Sequence, residues 1–265
     1  MQILKFIGCA LLILMPGCST HVEGREQPRP SLVILDIGHQ STARGATSPD
    51  QTIDEYAFWC RYAGEVKADI EAAGYRCVIV NRGMAPAAKD LQEACAKADV
   101  LQLNHPDKGA VRYSSVHYPE HIGCGMVSAD YAIATGARCM VFLHLNSVGR
   151  SWSTTPPTGL IICNRRHGRE LAERVCEAMQ RDILDRPGGI PNGGKGIKVL
   201  PRYIGSQPSA GWMNALDEAG IPAIVFEAVY LNNRAHVEFI RRDSGARQLA
   251  RTIAVGVVAW LKSAE

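Results

Sequence analysis

Apolar residues along this chain follow two patterns. Short apolar runs, each bounded by turn residues, recur from residue 31 onward and are typical of strands buried on both faces of a sheet. Longer stretches with apolar side chains at helical spacing lie between them. The short runs predict strands over residues 31–37, 75–81, 100–103, 139–145, 159–163 and 223–228. The longer stretches predict helices over residues 54–73, 85–97, 127–135, 166–184, 209–219 and 245–262.

The helix predicted over residues 54–73 has the clearest pattern. Thr52 or Asp54 can cap its first turn, and Gly74 can take the left-handed conformation that often ends a helix. Strands that alternate with helices are typical of an α/β domain, in which helices cover both faces of one sheet. Ligands and catalytic groups in such sheets gather where strands end and loops begin.

Composition limits the chain to one domain of ordinary globular type. It has 265 residues, of which 46% are hydrophobic and 21% charged, enough for one full-sized core. The formal net charge is only +3, and lysine and arginine form no cluster. Binding to nucleic acid needs a clustered basic face, so the sequence does not predict a nucleic-acid partner.

The N-terminus predicts export. A short positive end over residues 1–5 precedes an apolar run over residues 6–15, well below the roughly 20 residues that span a bilayer. Gly17 and then Cys18 follow, as in bacterial lipoprotein signals, where the Cys is lipidated and becomes the new N-terminus. A soluble periplasmic protein and an uncleaved anchor remain alternatives. Ser19 favours the outer membrane of a diderm bacterium.

We therefore divide the chain into a signal peptide over residues 1–18, a polar spacer over 19–30 and a catalytic domain over 31–265. Seven cysteines follow Cys18, and none forms a Cys-x-x-Cys pair, so a zinc site built on thiolates is not predicted. Most of them lie among apolar residues, where a buried thiol is expected. A disulfide between Cys95 and Cys124 is one open pairing in an oxidising compartment.

Ionisable residues follow three of the predicted strands. His39 comes after the first strand, His144 lies at the end of the strand over residues 139–145, and Glu227 lies at the end of the strand over 223–228. Glu55 lies in the first turn of the long helix. Two imidazoles and one carboxylate, with a fourth position for water, form a catalytic zinc arrangement, and a second carboxylate such as Glu227 can then take the proton of water.

Simpler interpretations of the same residues stay open at this point. A His at a strand end is often a hydrogen-bonded loop residue, and Glu55 alone can be a favourable charge at a helix N-terminus.

The motifs around these residues resemble one enzyme family, the zinc-dependent N-acetylmuramoyl-L-alanine amidases of the cell-separation and spore-cortex type. The motifs are Leu-Asp-Ile-Gly-His over residues 35–39, Glu55, Phe-Leu-His-Leu-Asn-Ser over 142–147 and Pro-Ala-Ile-Val-Phe-Glu over 222–227. The resemblance implies a single twisted, mostly parallel sheet with helices. It also implies that His39, Glu55 and His144 bind Zn²⁺, that Glu227 is the catalytic base, and that the substrate is peptidoglycan.

The chain also departs from the pattern of that family. Ile37 replaces a proline, and Gln40 and Ser41 replace two glycines beside the first His. Since none of these is a ligand, the resemblance still implies a metal site, with a loop of different shape. Division amidases carry an inhibitory helix after the second His, whereas only residues 147–158 fill that interval here, which predicts an accessible metal.

A surplus segment over residues 104–126 contains three more histidines and Glu120. A second metal site is one interpretation of this set. Because Pro119 separates the last two histidines, one helical turn cannot present both, and a polar surface loop is the preferred interpretation. Its role, like any protein partner, stays open.

Two other functions are compatible with the sequence. One is a zinc amidohydrolase that acts on another cell-wall bond or on soluble muropeptides. The other is a peptidoglycan-binding lipoprotein with a degenerate amidase fold and no activity. Retention of Glu227 argues against the second, since a binding module does not need a base.

Overall fold

A computed structural model describes residues 31–39, 44–80, 124–155, 157–192, 194–201 and 210–265. Within these residues the strands, in chain order, are β1 Leu32–Asp36, β2 Arg76–Val80, β3 Cys139–Leu143, β4 Gly159–Cys163, β5 Ile197–Pro201 and β6 Ala223–Glu227. The helices are α1 Glu55–Ala72, α2 Cys124–Thr135, α3 Arg169–Asp182, α4 Ala210–Glu218, α5 Arg234–Arg241 and α6 Asp243–Ser263.

These strands form one sheet in the order β2-β1-β3-β6-β4-β5. Strands β2, β1, β3 and β6 are mutually parallel, whereas β4 pairs antiparallel with β6 and parallel with β5. The sheet is therefore mostly parallel, and the predicted α/β fold is confirmed. The carboxyl ends of β1, β3 and β6 meet at one edge, which we call the catalytic edge.

Helices cover both faces of the sheet. Alternate residues of β1 point to opposite sides, so that Val33 and Leu35 pack with α1, α3, α5 and α6, while Ile34 packs with α2 and α4. All five residues of β1 and of β3 are buried, as expected for central strands covered on both faces. None of the helices in the described ranges is long and apolar enough to cross a membrane.

All five predicted strands that fall in the described ranges are present. The strand predicted over 100–103 and the helix predicted over 85–97 lie outside those ranges. Two elements were missed, β5 and α5. β5 is a half-exposed edge strand that contains a lysine and ends in Pro201, so its apolar pattern is weak. Asp54, rather than Thr52, caps α1 by accepting a hydrogen bond from the Ala57 amide.

The predicted helices over 166–184 and 127–135 differ at their starts. α3 begins at Arg169, since residues up to Gly168 form a turn packed on Asn164, and α2 begins earlier, at Cys124. Four cysteines, Cys77, Cys139, Cys163 and Cys176, are buried free thiols, as expected. Burial raises the pKa of Cys77 to about 12. Cys95 and the side chain of Cys124 lie outside what the structure describes.

Candidate metal centre

Three of the predicted site residues meet at the catalytic edge. His39 follows β1, and His144 directly follows β3, the parallel neighbour of β1 in the sheet. Glu55 is the first residue of α1 and is buried. After β1 the chain forms a loop and begins α1 close to the end of β3, so that Glu55 contacts both histidines. The imidazoles are 5.0 Å apart between ring centroids and are nearly perpendicular.

The Glu55 carboxylate lies between the two imidazoles. Its Oε2 is 3.1 Å from Nε2 of His39, and its Oε1 is 2.9 Å from Nδ1 of His144. Each oxygen also accepts a backbone hydrogen bond, Oε2 from the Ala46 amide at 2.9 Å and Oε1 from the Leu145 amide at 2.8 Å. The carboxylate is thus fixed from both sides, and its side chain is only 3% exposed.

These contacts decide the charges of the site. Burial alone would raise the pKa of Glu55, but the hydrogen bonds from His144 and His39 lower it to about 2. Burial disfavours the charged ring of His144, yet its hydrogen bond to Glu55 and the charges of Glu55, Glu227 and Asp36 raise its pKa. Glu55 is consequently ionised at neutral pH, as a metal-binding carboxylate must be.

The geometry fits a metal ion. One ligand atom from each of His39, Glu55 and His144 can be chosen so that all lie within 4.8 Å of one another. Two ligands of one tetrahedral zinc ion, each at about 2.0–2.1 Å, are about 3.3 Å apart, close to the His–Glu distances above. The side chains of His39 and His144 are 28% and 17% exposed, so solvent reaches both rings. The described residues thus contain a candidate metal-binding triad with an open side.

Glu227 lies beside this triad. It ends β6, the parallel neighbour of β3, and Phe226 accepts a hydrogen bond from the His144 amide at 3.1 Å. Asn146 Nδ2 donates to Glu227 Oε2 at 3.0 Å. The negative charge of Glu227 is one of the causes that raise the pKa of His144. A second carboxylate is therefore available next to the metal-binding atoms without being one of them.

Two glycines make room for the triad. Both have positive φ, +85° at Gly38 and +77° at Gly45, a conformation that favours glycine. A β-carbon at Gly38 would lie 2.5 Å from Nε2 of His144, and one at Gly45 would overlap both His39 and Glu55. The backbone on each side of the site is therefore closer to the ligands than any other residue type allows.

Replacing Gly38 by alanine is expected to weaken metal binding by at least about tenfold, since the new methyl group displaces the His144 ring and shifts in metal-site support cost about 10–100-fold. Gly74→Ala is the matched control. Gly74 also has a positive φ, +94°, but a β-carbon there meets nothing within 4 Å. Calorimetric titration with Zn²⁺ should show normal affinity for Gly74→Ala, with a loss of about 1–2 kcal/mol in unfolding free energy. Equal affinities for the two variants would contradict the steric argument.

Two further residues belong to this site, although no role was predicted for either of them from the sequence. Asp36, at the end of β1, is buried and accepts a hydrogen bond from the Gly38 amide at 2.5 Å, which fixes the turn before His39. Burial raises the pKa of Asp36, while hydrogen bonds from Ser128 and Gly38 oppose that rise. Asn146 contacts Glu227 as described above. Both residues lie within the motifs that contain His39 and His144. This closeness in sequence to a candidate ligand is the signal from which a role could have been predicted.

Several predicted features fall outside the described residues. They include Cys18, Gln40, Ser41 and most of the surplus segment over 104–126 with its histidines and Glu120. The interval after His144 is described except for residue 156, and its described residues form no helix.

Comparison with known proteins finds a family match and similar solved folds. Residues 33–259 match a family model described as N-acetylmuramoyl-L-alanine amidase. No protein with a curated description matches the sequence.

Solved structures show the same fold. The CwlD amidase from Clostridioides difficile, solved in complex with the GerS lipoprotein, has a TM-score of 0.58 at 15% identity, over 88% of this chain and 99% of that one. The amidase AmiC2 of Nostoc punctiforme has a TM-score of 0.56 at 17% identity, over 88% and 97%. Ami1 from Mycobacterium smegmatis has a TM-score of 0.57 at 16% identity, over 89% and 98%.

Proposed function

The chain belongs to the N-acetylmuramoyl-L-alanine amidase family, and on that premise we propose that it hydrolyses peptidoglycan with the help of zinc. The bond cleaved is the amide between the lactyl group of N-acetylmuramic acid and L-alanine. The observation that carries the proposal is the convergence of His39, Glu55 and His144 at the catalytic edge, with Glu227 at the end of β6, the parallel neighbour of β3. A binding module would need none of these groups in this arrangement.

His39, Glu55 and His144 are the residues that would hold the ion. A donor set of two imidazoles and one carboxylate suits zinc, and three protein ligands leave a position for water or substrate, as in catalytic zinc sites. The partial exposure of both rings supports this, because a substrate must reach the ion. When bound, zinc acidifies a water molecule and polarises the scissile carbonyl.

Glu227 would act as the base. Its carboxylate lies next to the triad at the end of a neighbouring strand, where it can accept a proton from the attacking water and pass it to the leaving amine of L-alanine. The rigid strand and the hydrogen bond from Asn146 hold it there. Glu55 would instead be a ligand of the ion, since its carboxylate lies between the two imidazoles and is fixed by two backbone amides.

The chain that follows His144 forms no helix in its described residues. Residues 147–155 are linked to the chain after Glu227, for example by the hydrogen bond from the Ser153 amide to the Asn232 carbonyl at 2.6 Å. We propose that no segment in this interval blocks the zinc.

We further propose that the protein is exported and anchored by a lipid on Cys18, with residues 1–18 as the signal and 19–30 as the spacer. A periplasmic location at the outer membrane would give it direct access to peptidoglycan. A mass shift of the N-terminal peptide by a diacylglyceryl group, lost when Cys18 is replaced by alanine, tests the anchor.

The test of the reaction is mass spectrometry of sacculi digested by the purified protein, with and without a zinc chelator. We expect peptides that begin with free L-alanine, and denuded glycan strands, only when zinc is present. Fragments cut at another bond would contradict the proposed site of cleavage. Equal release of peptides with and without the chelator would contradict the zinc dependence. Parallel digestion of soluble muropeptides identifies an enzyme that acts on fragments rather than on intact wall.

A further inference from the structure

Asn146 is bound to the chain segment around Glu227 through its backbone N–H, its backbone carbonyl and its side-chain NH₂ group. Its amide N–H donates to the Val229 carbonyl at 2.8 Å, and its carbonyl accepts from the Leu231 amide at 2.8 Å. Its side-chain Nδ2 donates to Glu227 Oε2 at 3.0 Å. Asn146 therefore links the chain that follows His144 to the chain that carries and follows Glu227.

The segment after Glu227 is itself fixed. Ala228 to Asn233 are all buried. The Tyr230 amide donates to Nδ1 of His236 at 3.1 Å, and burial lowers the pKa of His236 to about 4, so that the ring is neutral at pH 7 and can accept this bond. The Tyr230 hydroxyl donates to the Thr158 carbonyl at 2.9 Å. Asn146 is thus held on a rigid base, and its side-chain amide has a defined position.

From these contacts we infer that Asn146 is a positioning residue, whose Nδ2–H bond sets the orientation of the Glu227 carboxylate. The inference rests on the proposed function, in which Glu227 is the base. A base must hold one oxygen within about 2.6–3.2 Å of the proton that it accepts, and a glutamate side chain has several rotatable bonds between backbone and carboxylate. The hydrogen bond to Oε2 restricts these rotations and fixes where the carboxylate points relative to the triad.

Side-chain substitution isolates this one contact. Both backbone hydrogen bonds of Asn146 persist whatever its side chain is, so the connection between the two strand ends survives. Asn146→Asp is the sharpest change, because aspartate has the same shape and lacks the donor. It also places a second negative charge against the Glu227 carboxylate. Asn146→Ala removes the donor without that charge.

The matched control is Asn192→Ala. Asn192 is also buried, and its side chain makes two hydrogen bonds, to the Gly196 carbonyl at 3.0 Å and from the Gly196 amide at 2.6 Å. These bonds hold the loop before β5, at the far side of the sheet from β3. Loss of a buried asparagine in general is therefore separated from loss of the contact with Glu227.

The experiment measures kcat and KM of the zinc-loaded full chain on a soluble N-acetylmuramoyl peptide, together with zinc content per molecule. Asn146→Ala is expected to lower kcat by about 10–100-fold, part of the 10²–10⁴-fold that a base contributes, with KM and zinc content unchanged. Asn146→Asp should lower it further. Asn192→Ala should keep the parental kcat per folded molecule.

Crystal structures of the parent and of Asn146→Asp provide a readout that does not depend on activity. We expect the Glu227 carboxylate to leave its parental position in the variant while His39, Glu55 and His144 keep theirs. An unmoved carboxylate, or a parental kcat in Asn146→Ala at full zinc content, overturns the inference. A parent that binds zinc but cleaves neither sacculi nor soluble peptide overturns the proposed function instead, and the two crystal structures still decide whether Asn146 orients Glu227.

Discussion

Replacing Glu227 by glutamine is expected to reduce kcat by about 10²–10⁴-fold while zinc binding stays at the parental level. Glutamine has the size of glutamate, and its side-chain oxygen can still accept the hydrogen bond from Asn146. It cannot take a proton from water. The three proposed ligands are unchanged in this variant, since the candidate metal-binding triad does not include Glu227. The rate of peptide release from sacculi and the zinc content per molecule measure the two effects separately.

The matched control for this change is Glu238→Gln, an isosteric replacement at an exposed position of α5. It removes the same charge from the molecule and should leave kcat unchanged. A Glu227→Gln variant that works as fast as the parent would exclude Glu227 as the base. Loss of zinc from that variant would instead point to a ligand role for Glu227.

Replacing Glu55 by glutamine is expected to weaken metal binding by more than about 100-fold and to lower activity with it. Each carboxylate oxygen of Glu55 accepts a hydrogen bond from a backbone N–H, of Ala46 or of Leu145. Glutamine replaces one of these oxygens by an NH₂ group, which cannot accept that bond and faces the N–H instead. Changes outside the ligand set of a metal site cost about 10–100-fold in affinity, and loss of a ligand should cost more. Titration with Zn²⁺ and the unfolding free energy in its absence measure the two consequences.

Asp217→Asn is the control for Glu55→Gln. Asp217 is likewise a buried carboxylate that accepts a backbone hydrogen bond, from the Arg166 amide at 2.8 Å, and it lies at the end of the sheet opposite the catalytic edge. Its replacement should lower stability without changing zinc affinity. A Glu55→Gln variant with parental zinc affinity would contradict the assignment of Glu55 as a ligand.

The pH dependence of zinc binding provides a second check on the same residue. Zinc needs the neutral form of His144, so its affinity falls as pH falls through the pKa of that ring. Glu55 is a main cause of the raised pKa of His144. In Glu55→Gln that pKa is lower, and whatever binding remains should weaken only at a lower pH than in the parent.

The central strands and the residues that follow them could be predicted from sequence because both depend on local patterns. β1, β3 and β6 are continuous apolar runs, and a polar residue directly after such a run lies at an edge of the sheet. His39, His144 and Glu227 were therefore found. The position of Glu55 against both imidazoles depends on how the loop over 44–54 returns to the sheet, which no local pattern reveals. Its place in the first turn of the long helix made Glu55 a candidate ligand, and the family resemblance implied that role.

The elements that were missed lack such patterns. α5 is only eight residues long, with two arginines among them, and its start is defined by Asn233, whose side chain accepts from the His236 amide. The reversed direction of β4 was not predicted either, because a short apolar strand has no signal for the neighbour with which it pairs. The role of Asn146 needed the register between β3 and β6, which brings positions 81 residues apart into contact.

The two ends of the folded domain lie at the edge of the sheet opposite the metal centre. Leu32, the first residue of β1, accepts a hydrogen bond from the Arg138 amide, and the Arg138 side chain donates to the Ala264 carbonyl at 2.8 Å. An anchor at Cys18 would thus attach to the molecule from the end of the sheet opposite the proposed zinc site. Residues 19–30 can extend to at most about 40 Å, so each anchored molecule would reach only the peptidoglycan directly above it. Cleavage would then be confined to peptidoglycan within reach of the anchoring membrane. Releasing the protein from its lipid should extend cleavage to peptidoglycan farther from that membrane.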